Sequence, residues 1–151
     1  MQIIPDDLRG PDIRALLERH FADMLANSPE GSCHFLDFDG LNAPDVTFWS
    51  IWDGPSLAGC GALKALSPDH GEIKSMRTHE HHLRKGVGAK MLAHIIGEAR
   101  RRGYRRLSLE TGSTAAFGPA LAMYRRNGFQ DCPPFGDYRP NPFSIFMTRM
   151  I

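Results

Sequence analysis

The segment of this chain with the clearest chemical content is Leu83-Arg84-Lys85-Gly86-Val87-Gly88-Ala89-Lys90. Gly86 and Gly88 let the main chain turn tightly with no Cβ in the way, and an amphipathic run follows at once. The first N–H groups of a helix have no partner inside the helix. With a dipole worth roughly half a positive charge behind them, those donors suit a pyrophosphate. Arg84, Lys85 and Lys90 add positive charge at the same spot. A Gly-x-Gly turn alone can also serve plain geometry. The Gly-Lys-Ser/Thr ending of a P-loop is absent, and so is the third glycine of a dinucleotide fingerprint.

Other chemically capable groups carry less. His79, His81 and His82 lie on a polar turn with no second ligand cluster of the kind a metal site uses, so solvated imidazoles and no metal are expected. Cys33, Cys60 and Cys132 cannot all pair and lack ligand spacing. Cys60 reads as a small core residue, and a reducing compartment is the simpler setting. The run Arg100-Arg101-Arg102-Gly103-Tyr104-Arg105-Arg106 could face nucleic acid, but cations ending a helix also oppose the negative end of its dipole. A formal net charge of +1 supplies no bulk field toward nucleic acid or an anionic membrane. No basic-then-apolar leader opens the sequence, and no window approaches the ~20 apolar residues of a membrane span. A soluble, cytoplasmic protein is expected.

These groups must be positioned by a chain of 151 residues, a length that suits one domain over 1–151. Such a domain buries about 70% of its unfolded surface. With 42% hydrophobic and 23% charged residues, it needs neither disulfide nor metal to fold. Ile13, Leu16, Leu17, Phe21, Met24 and Leu25 share one face of a helix opening at Pro11-Asp12. Residues 32–45 are ambiguous. Val46 to Trp52, rich in β-branched and aromatic residues, reads as a strand, with Trp49 and Trp52 on opposite faces. Leu57 to Leu66 is its hairpin partner across Asp53-Gly54-Pro55. Glu72 to Thr78 is a third strand, with Ile73 on one face and Glu72, Lys74, Met76 and Thr78 on the other. Val87, Met91, Leu92, Ile95, Ile96 and Ala99 mark a long amphipathic helix. Arg106 to Thr111 is a strand, Pro119 to Asn127 a helix, and Phe129 to Cys132 and Ser144 to Thr148 the last strands. The sum is an α/β (α+β) fold, a mixed sheet with helices packed on it.

Thr78, a polar turn, Arg84-Lys85-Gly86-Val87-Gly88-Ala89 and then a helix rich in Leu and Ile resemble the coenzyme A motif of the GNAT N-acetyltransferases. The pattern Gln/Arg-x-x-Gly-x-Gly/Ala falls on Leu83 to Gly88, with Leu83 in place of the first polar residue and Arg84 one position late. Backbone donors do not depend on that side chain. Independently, Ala120-Leu121-Ala122-Met123-Tyr124-Arg125-Arg126-Asn127-Gly128-Phe129 is similar to the family's helix-to-strand signature, a tyrosine shortly before Gly-Phe. The segment from Phe135 to Met147 resembles an uncharacterised bacterial subgroup of the family.

That resemblance implies a GNAT-like acyl-CoA N-acyltransferase fold, with a mostly antiparallel central sheet flanked by helices, and acetyl-CoA as co-substrate. The pantetheine arm would lie beside Met76, Arg77 and Thr78 like an added strand. Main-chain donors of Leu83, Arg84, Lys85, Gly86, Val87, Gly88 and Ala89 would take the pyrophosphate. The thioester would point into the gap between the third strand and the strand at Arg106. A primary amine must be neutral to attack, whereas a lysine-type amine has a pKa of about 10.4, so a carboxylate is needed to accept its proton. Glu110 and Glu72 are the candidates. Tyr124 would protonate the departing thiolate; its alternative is an aromatic packed beside Leu121 and Phe129. The acceptor is a small-molecule or peptide amine, enclosed by the loops at 32–45, 112–118 and 133–142. Arg77 or Arg139 could favour one carrying a carboxylate. Homodimers are frequent in this fold, and nothing in the chain establishes one. The alternative is a non-catalytic acyl-CoA-binding sensor module of the same fold.

Overall fold

A computed structural model of the chain describes residues 1–31 and 34–151. Ser32 and Cys33 lie outside the described residues, so the expectations for Cys33 and for the start of the 32–45 loop have no structural counterpart here. The elements run β1 (Gln2–Pro5), α1 (Pro11–Asn27), α2 (Phe38–Leu41), β2 (Val46–Asp53), β3 (Ser56–Ser67) and β4 (His70–Thr78). After a 3-10 turn (Glu80–His82) come α3 (Val87–Arg101), β5 (Arg106–Gly112), a second 3-10 turn (Ala115–Phe117), α4 (Gly118–Arg126), β6 (Gln130–Asp131) and β7 (Ser144–Met150). The sheet order is β1-β2-β3-β4-β5-β7-β6. Every neighbouring pair is antiparallel except β4 with β5. This is the mixed α/β architecture expected from the sequence.

Alternation along the strands sorts side chains into two apolar layers. Trp49, Ile51, Leu63, Ile73, Leu107, Leu109 and Met147 pack with Val87, Met91, Leu92 and Ile95 of α3. Phe48, Leu57, Cys60 and Ala62 pack on the other face with Ile13, Leu16 and Leu17 of α1. Trp52 joins that second layer, so the two tryptophans of β2 face opposite ways. Burying each large aliphatic of α3 stabilises the fold by about 1.5–3 kcal/mol. The stripe expected for α1 changes at its end: Leu25 is exposed, and His20 is buried instead. There the helix has left the core and borders a cavity, which His20, Asp23, Met24 and Asn27 line.

Two departures from regular pairing create the site. In β4, Cys60 pairs with Arg77 and Ala62 with Lys74, so Gly61 faces both Ser75 and Met76. Ser75 has a φ of 55° and is the extra residue of a β-bulge, a conformation that costs about 1–3 kcal/mol. The bulge resets the alternation. Met76, expected on the face of Glu72 and Lys74, turns to the α3 side and packs against that layer. A Cβ at position 61 would lie 2.8 Å from its sulfur and 2.7 Å from Met91; only glycine leaves that room. The second departure is that β4 and β5 pair at His70–Arg106, Gly71–Leu107 and Glu72–Ser108 and then part. Beyond Glu72 the β5-facing edge of β4 is open, while β5 remains paired to β7 as far as Gly112–Ser144.

Candidate active site

The glycine turn enters α3 through two left-handed residues, Arg84 with a φ of 62° and Gly86 with a φ of 76°. Gly86 is the N-cap residue, and no side chain caps the helix. The first helical bond runs from Lys90 N–H to the Gly86 carbonyl. Among the described residues, no carbonyl or side chain takes the N–H groups of Val87, Gly88 or Ala89. A Cβ at position 86 would meet nothing within 4 Å, so glycine is required there for its φ and not for space. Gly88 differs: a Cβ there would lie 2.9 Å from Met123 Sδ of α4 and 3.8 Å from Thr78 Oγ1. The turn, the end of β4 and α4 therefore converge. Leu83, Arg84 and Lys85 are exposed, so the position where the motif departs from the family pattern projects to solvent.

Where β4 and β5 part there is a cavity of about 340 Å³. Met76 and Arg77 of β4, Glu110 and Thr111 of β5, and Ala120 and Tyr124 of α4 all line it. Tyr124 packs edge-on against Phe129 with centroids 5.7 Å apart, as its packing alternative foresaw. Burial pushes its phenol well above the ordinary range, so it carries its proton at any physiological pH. On the far wall, Arg77 donates to Asp23 of α1. Beside it stands His20, whose pKa burial lowers from 6.5 to about 4.

A second cavity, of about 890 Å³, shares His34, Phe35 and Lys74 with the first and reaches Lys64, Glu72, Tyr138 and Arg139. A polar network fills the wall between them. The Tyr138 hydroxyl donates to Glu72 Oε2 at 2.6 Å. Lys74 Nζ lies 3.2 Å from the same oxygen and 2.9 Å from the Tyr138 oxygen. Burial, with the Glu72 charge beside it, drives the Tyr138 phenol up, which keeps it a donor. Glu110, whose side chain is only 6% exposed, accepts the Ser144 hydroxyl at 2.7 Å. His34 Nδ1 lies 3.4 Å from the same Oε2, at the long end of hydrogen bonding. Among the carboxylates that line the clefts, Asp23 has Arg77 and Glu72 has Lys74. Glu110 has no Lys or Arg partner among the described residues.

The structure thus brings Met76, Arg77, Glu110 and Tyr124 to one cavity and places Leu83 to Ala89 at the head of the adjoining helix. Glu72 stands apart from that cavity, buried and engaged by two donors. Arg77 is spent on Asp23, whereas Arg139 is exposed at the second cavity. His82, expected in solvent, is buried with Nε2 3.7 Å from Asp53, while His81 is open. No three His, Cys, Asp or Glu groups among the described residues come together as a metal requires. Sequence reasoning missed Lys74, Tyr138, Asn141, Ser144 and His34 as site residues. The one local cue was Asn141-Pro142, a turn signal, with a serine close behind.

A parallel start, an early parting of β4 from β5 and an uncapped helix head beside the opening define an acyl-CoA-dependent acyltransferase fold. Residues 11–129 match the acetyltransferase (GNAT) family. The chain is 54% identical over all of its length to the uncharacterized N-acetyltransferase YsnE of Bacillus subtilis, covering 100% of that protein. It is 50% identical to YedL of Escherichia coli, likewise an uncharacterized N-acetyltransferase, over 95% of this chain and 90% of that one. In fold it is similar to a GNAT acetyltransferase of Elizabethkingia anophelis solved with acetyl-CoA bound, at a TM-score of 0.69 and 17% identity, over 99% of this chain and 97% of that one. The chain belongs to the GNAT acetyltransferase family. That membership makes it an N-acetyltransferase.

Proposed function

We propose that the protein acetylates a primary amine by direct attack on the thioester of acetyl-CoA inside the β4–β5 cavity, with Glu110 as general base and Tyr124 as general acid. The observation that carries this reading is the pairing of groups across one cavity. A buried carboxylate with no Lys or Arg partner among the described residues lies on the β5 wall, and a buried phenol held in its protonated form lies on the α4 wall. The amine delivers its proton to Glu110 as its nitrogen bonds the carbonyl carbon. The sulfur leaves with the C–S electron pair and takes a hydrogen bond or proton from Tyr124. Glu72 fits the base role less well, because it does not line that cavity and its carboxylate is paired with the Lys74 ammonium.

The coenzyme would be held mostly by main chain. Val87, Gly88 and Ala89 N–H, with the turn from Leu83 to Gly86, would grip the pyrophosphate. The open edge of β4 at Met76, Arg77 and Thr78 would pair with the pantetheine amides as an extra strand would. The acceptor, small molecule or peptide, would approach from the side of His34 and Lys74. No helix among the described residues is long and apolar enough to cross a membrane, and the reading takes the enzyme to work as one domain in the cytoplasm, where its co-substrate is supplied.

The test combines binding and turnover. Acetyl-CoA at about 100 times its Kd adds about 2.7 kcal/mol, a rise in Tm of about 5–10 °C for a domain of this size. A panel of primary amines should then release free thiol from acetyl-CoA. A Tm rise with no thiol release from any amine would replace this reading with the sensor alternative.

A further inference from the structure

We infer that Asn141 and Ser144 are positioning residues for the reaction: together they fix which oxygen of Glu110 is engaged by the protein and hold the other ready for the acceptor's proton. The inference rests on Glu110 acting as the base. Its starting point is a chain of hydrogen bonds with one possible direction. Asn141 Oδ1 accepts the main-chain N–H groups of Phe143 at 3.0 Å and Ser144 at 2.8 Å. Two main-chain donors can meet only the oxygen of that amide, so its NH₂ must point the other way. It points to Ser144 Oγ, at 3.0 Å. A hydroxyl that accepts from Asn141 has its single proton left to give, and Ser144 gives it to Glu110 Oε2 at 2.7 Å. The rigid main chain therefore dictates the serine rotor, and the rotor dictates the carboxylate.

The sheet explains why these residues meet. Glu110 and Gly112 lie on the same face of β5, and Ser144 is the register partner of Gly112. Because position 112 carries no side chain, the Ser144 hydroxyl reaches diagonally to Glu110. A Cβ there would lie 2.4 Å from the Phe117 ring and 2.5 Å from that of Phe143, rings that meet edge-on with centroids 5.6 Å apart. The same aromatic pair thus keeps residue 112 bare and closes the end of β5 over the chain of bonds.

A donor aimed at a carboxylate favours its ionised form, the form a base must have before the amine arrives. Other charged or titratable groups share the cavity of Glu110: His20 and Asp23 from α1, His34 from the segment after α1, Lys74 and Arg77 from β4 and Tyr124 from α4, with Tyr138 of the loop before β7 close enough to feel the Glu110 charge. None of them hydrogen-bonds to Ser144 or Asn141 among the described residues, and Ser144→Thr, which keeps the hydroxyl, separates the effect of the bond from that of any rearrangement.

The experiment follows the side-chain carboxyl ¹³C resonances of glutamate-labelled protein from acid to neutral pH. The Glu110 resonance is identified by its loss in Glu110→Gln. In Ser144→Ala the midpoint of its titration should rise by about half a pH unit or more. In Asn141→Ala, which frees the serine rotor, it should rise by less. Ser144→Thr, which keeps the hydroxyl, should restore the wild-type midpoint. A wild-type midpoint in both Ser144→Ala and Asn141→Ala overturns the inference, as does an equal rise in Ser144→Ala and Ser144→Thr. Either outcome leaves the role of Glu110 itself to be decided separately, by whether Glu110→Gln abolishes thiol release.

Discussion

The two ends of the β4–β5 cleft are built from different materials. At the α3 end the proposed ligand groups are main-chain donors, set by two left-handed residues and a helix start. At the β7 end they are side chains from β4, β5, the segment after α1 and the loop before β7, locked to one another by hydrogen bonds. A backbone site tolerates changes in side chains so long as the φ angles survive. A side-chain site tolerates few changes, because each partner fixes the next. The co-substrate would therefore be met by backbone, and the acceptor by interlocked side chains.

Substitutions at either end can break or sharpen that contrast. The largest effect is expected from Glu110→Gln, which should lower kcat by roughly 10²–10⁴-fold while the acetyl-CoA-induced rise in Tm stays at its wild-type value. Tyr124→Phe should lower kcat by about tenfold or more, with binding again spared. Gly86→Val forces a β-branched residue to a φ of 76°, at a cost of about 1–3 kcal/mol; titration calorimetry should show acetyl-CoA binding weakened by about tenfold or more. Tyr138→Phe removes a donor from buried Glu72 and should lower Tm by about 3–10 °C with coenzyme affinity unchanged. Leu83→Gln, which restores the residue type the family pattern favours, should change acetyl-CoA affinity by about twofold at most, since that side chain is exposed and the donors are main chain.

One pH effect belongs to the wall between the ends. His20 is held neutral in the folded state down to about pH 4, whereas the unfolded chain protonates it near 6.5. Between those values the unfolded state binds the extra proton. Stability from this source is therefore complete above about pH 6.5 and is lost progressively as pH falls toward 4, by about 3 kcal/mol. Thermal melts of wild type and His20→Gln across that range should converge or cross as pH falls, because the variant lacks the titrating ring.

The α3 end was legible in the sequence because its elements are local: Gly86, Gly88 and the spacing of Val87, Met91, Leu92, Ile95 and Ile96 lie within one short stretch. Tyr124 was legible through its neighbours Gly128 and Phe129. The β7 end was not, since Tyr138 meets Glu72 across 66 residues and Ser144 meets Glu110 across 34, and no local pattern encodes such meetings. The face of Met76 was misread because the bulge at Ser75 rests on a non-glycine residue with positive φ, which strand alternation does not anticipate. β1 escaped notice because only Ile3 of its four residues is more than superficially covered, leaving no apolar alternation to read. α2 is a single turn capped by Asp37, too short for a helical period.

The most direct test of the account is the response of backbone amide resonances to acetyl-CoA in ¹⁵N-labelled protein. The largest shifts are predicted at Val87, Gly88 and Ala89, with a second group at Met76, Arg77 and Thr78. Saturable binding that leaves those six amides in place while moving others would contradict a coenzyme held by the main chain at the head of α3.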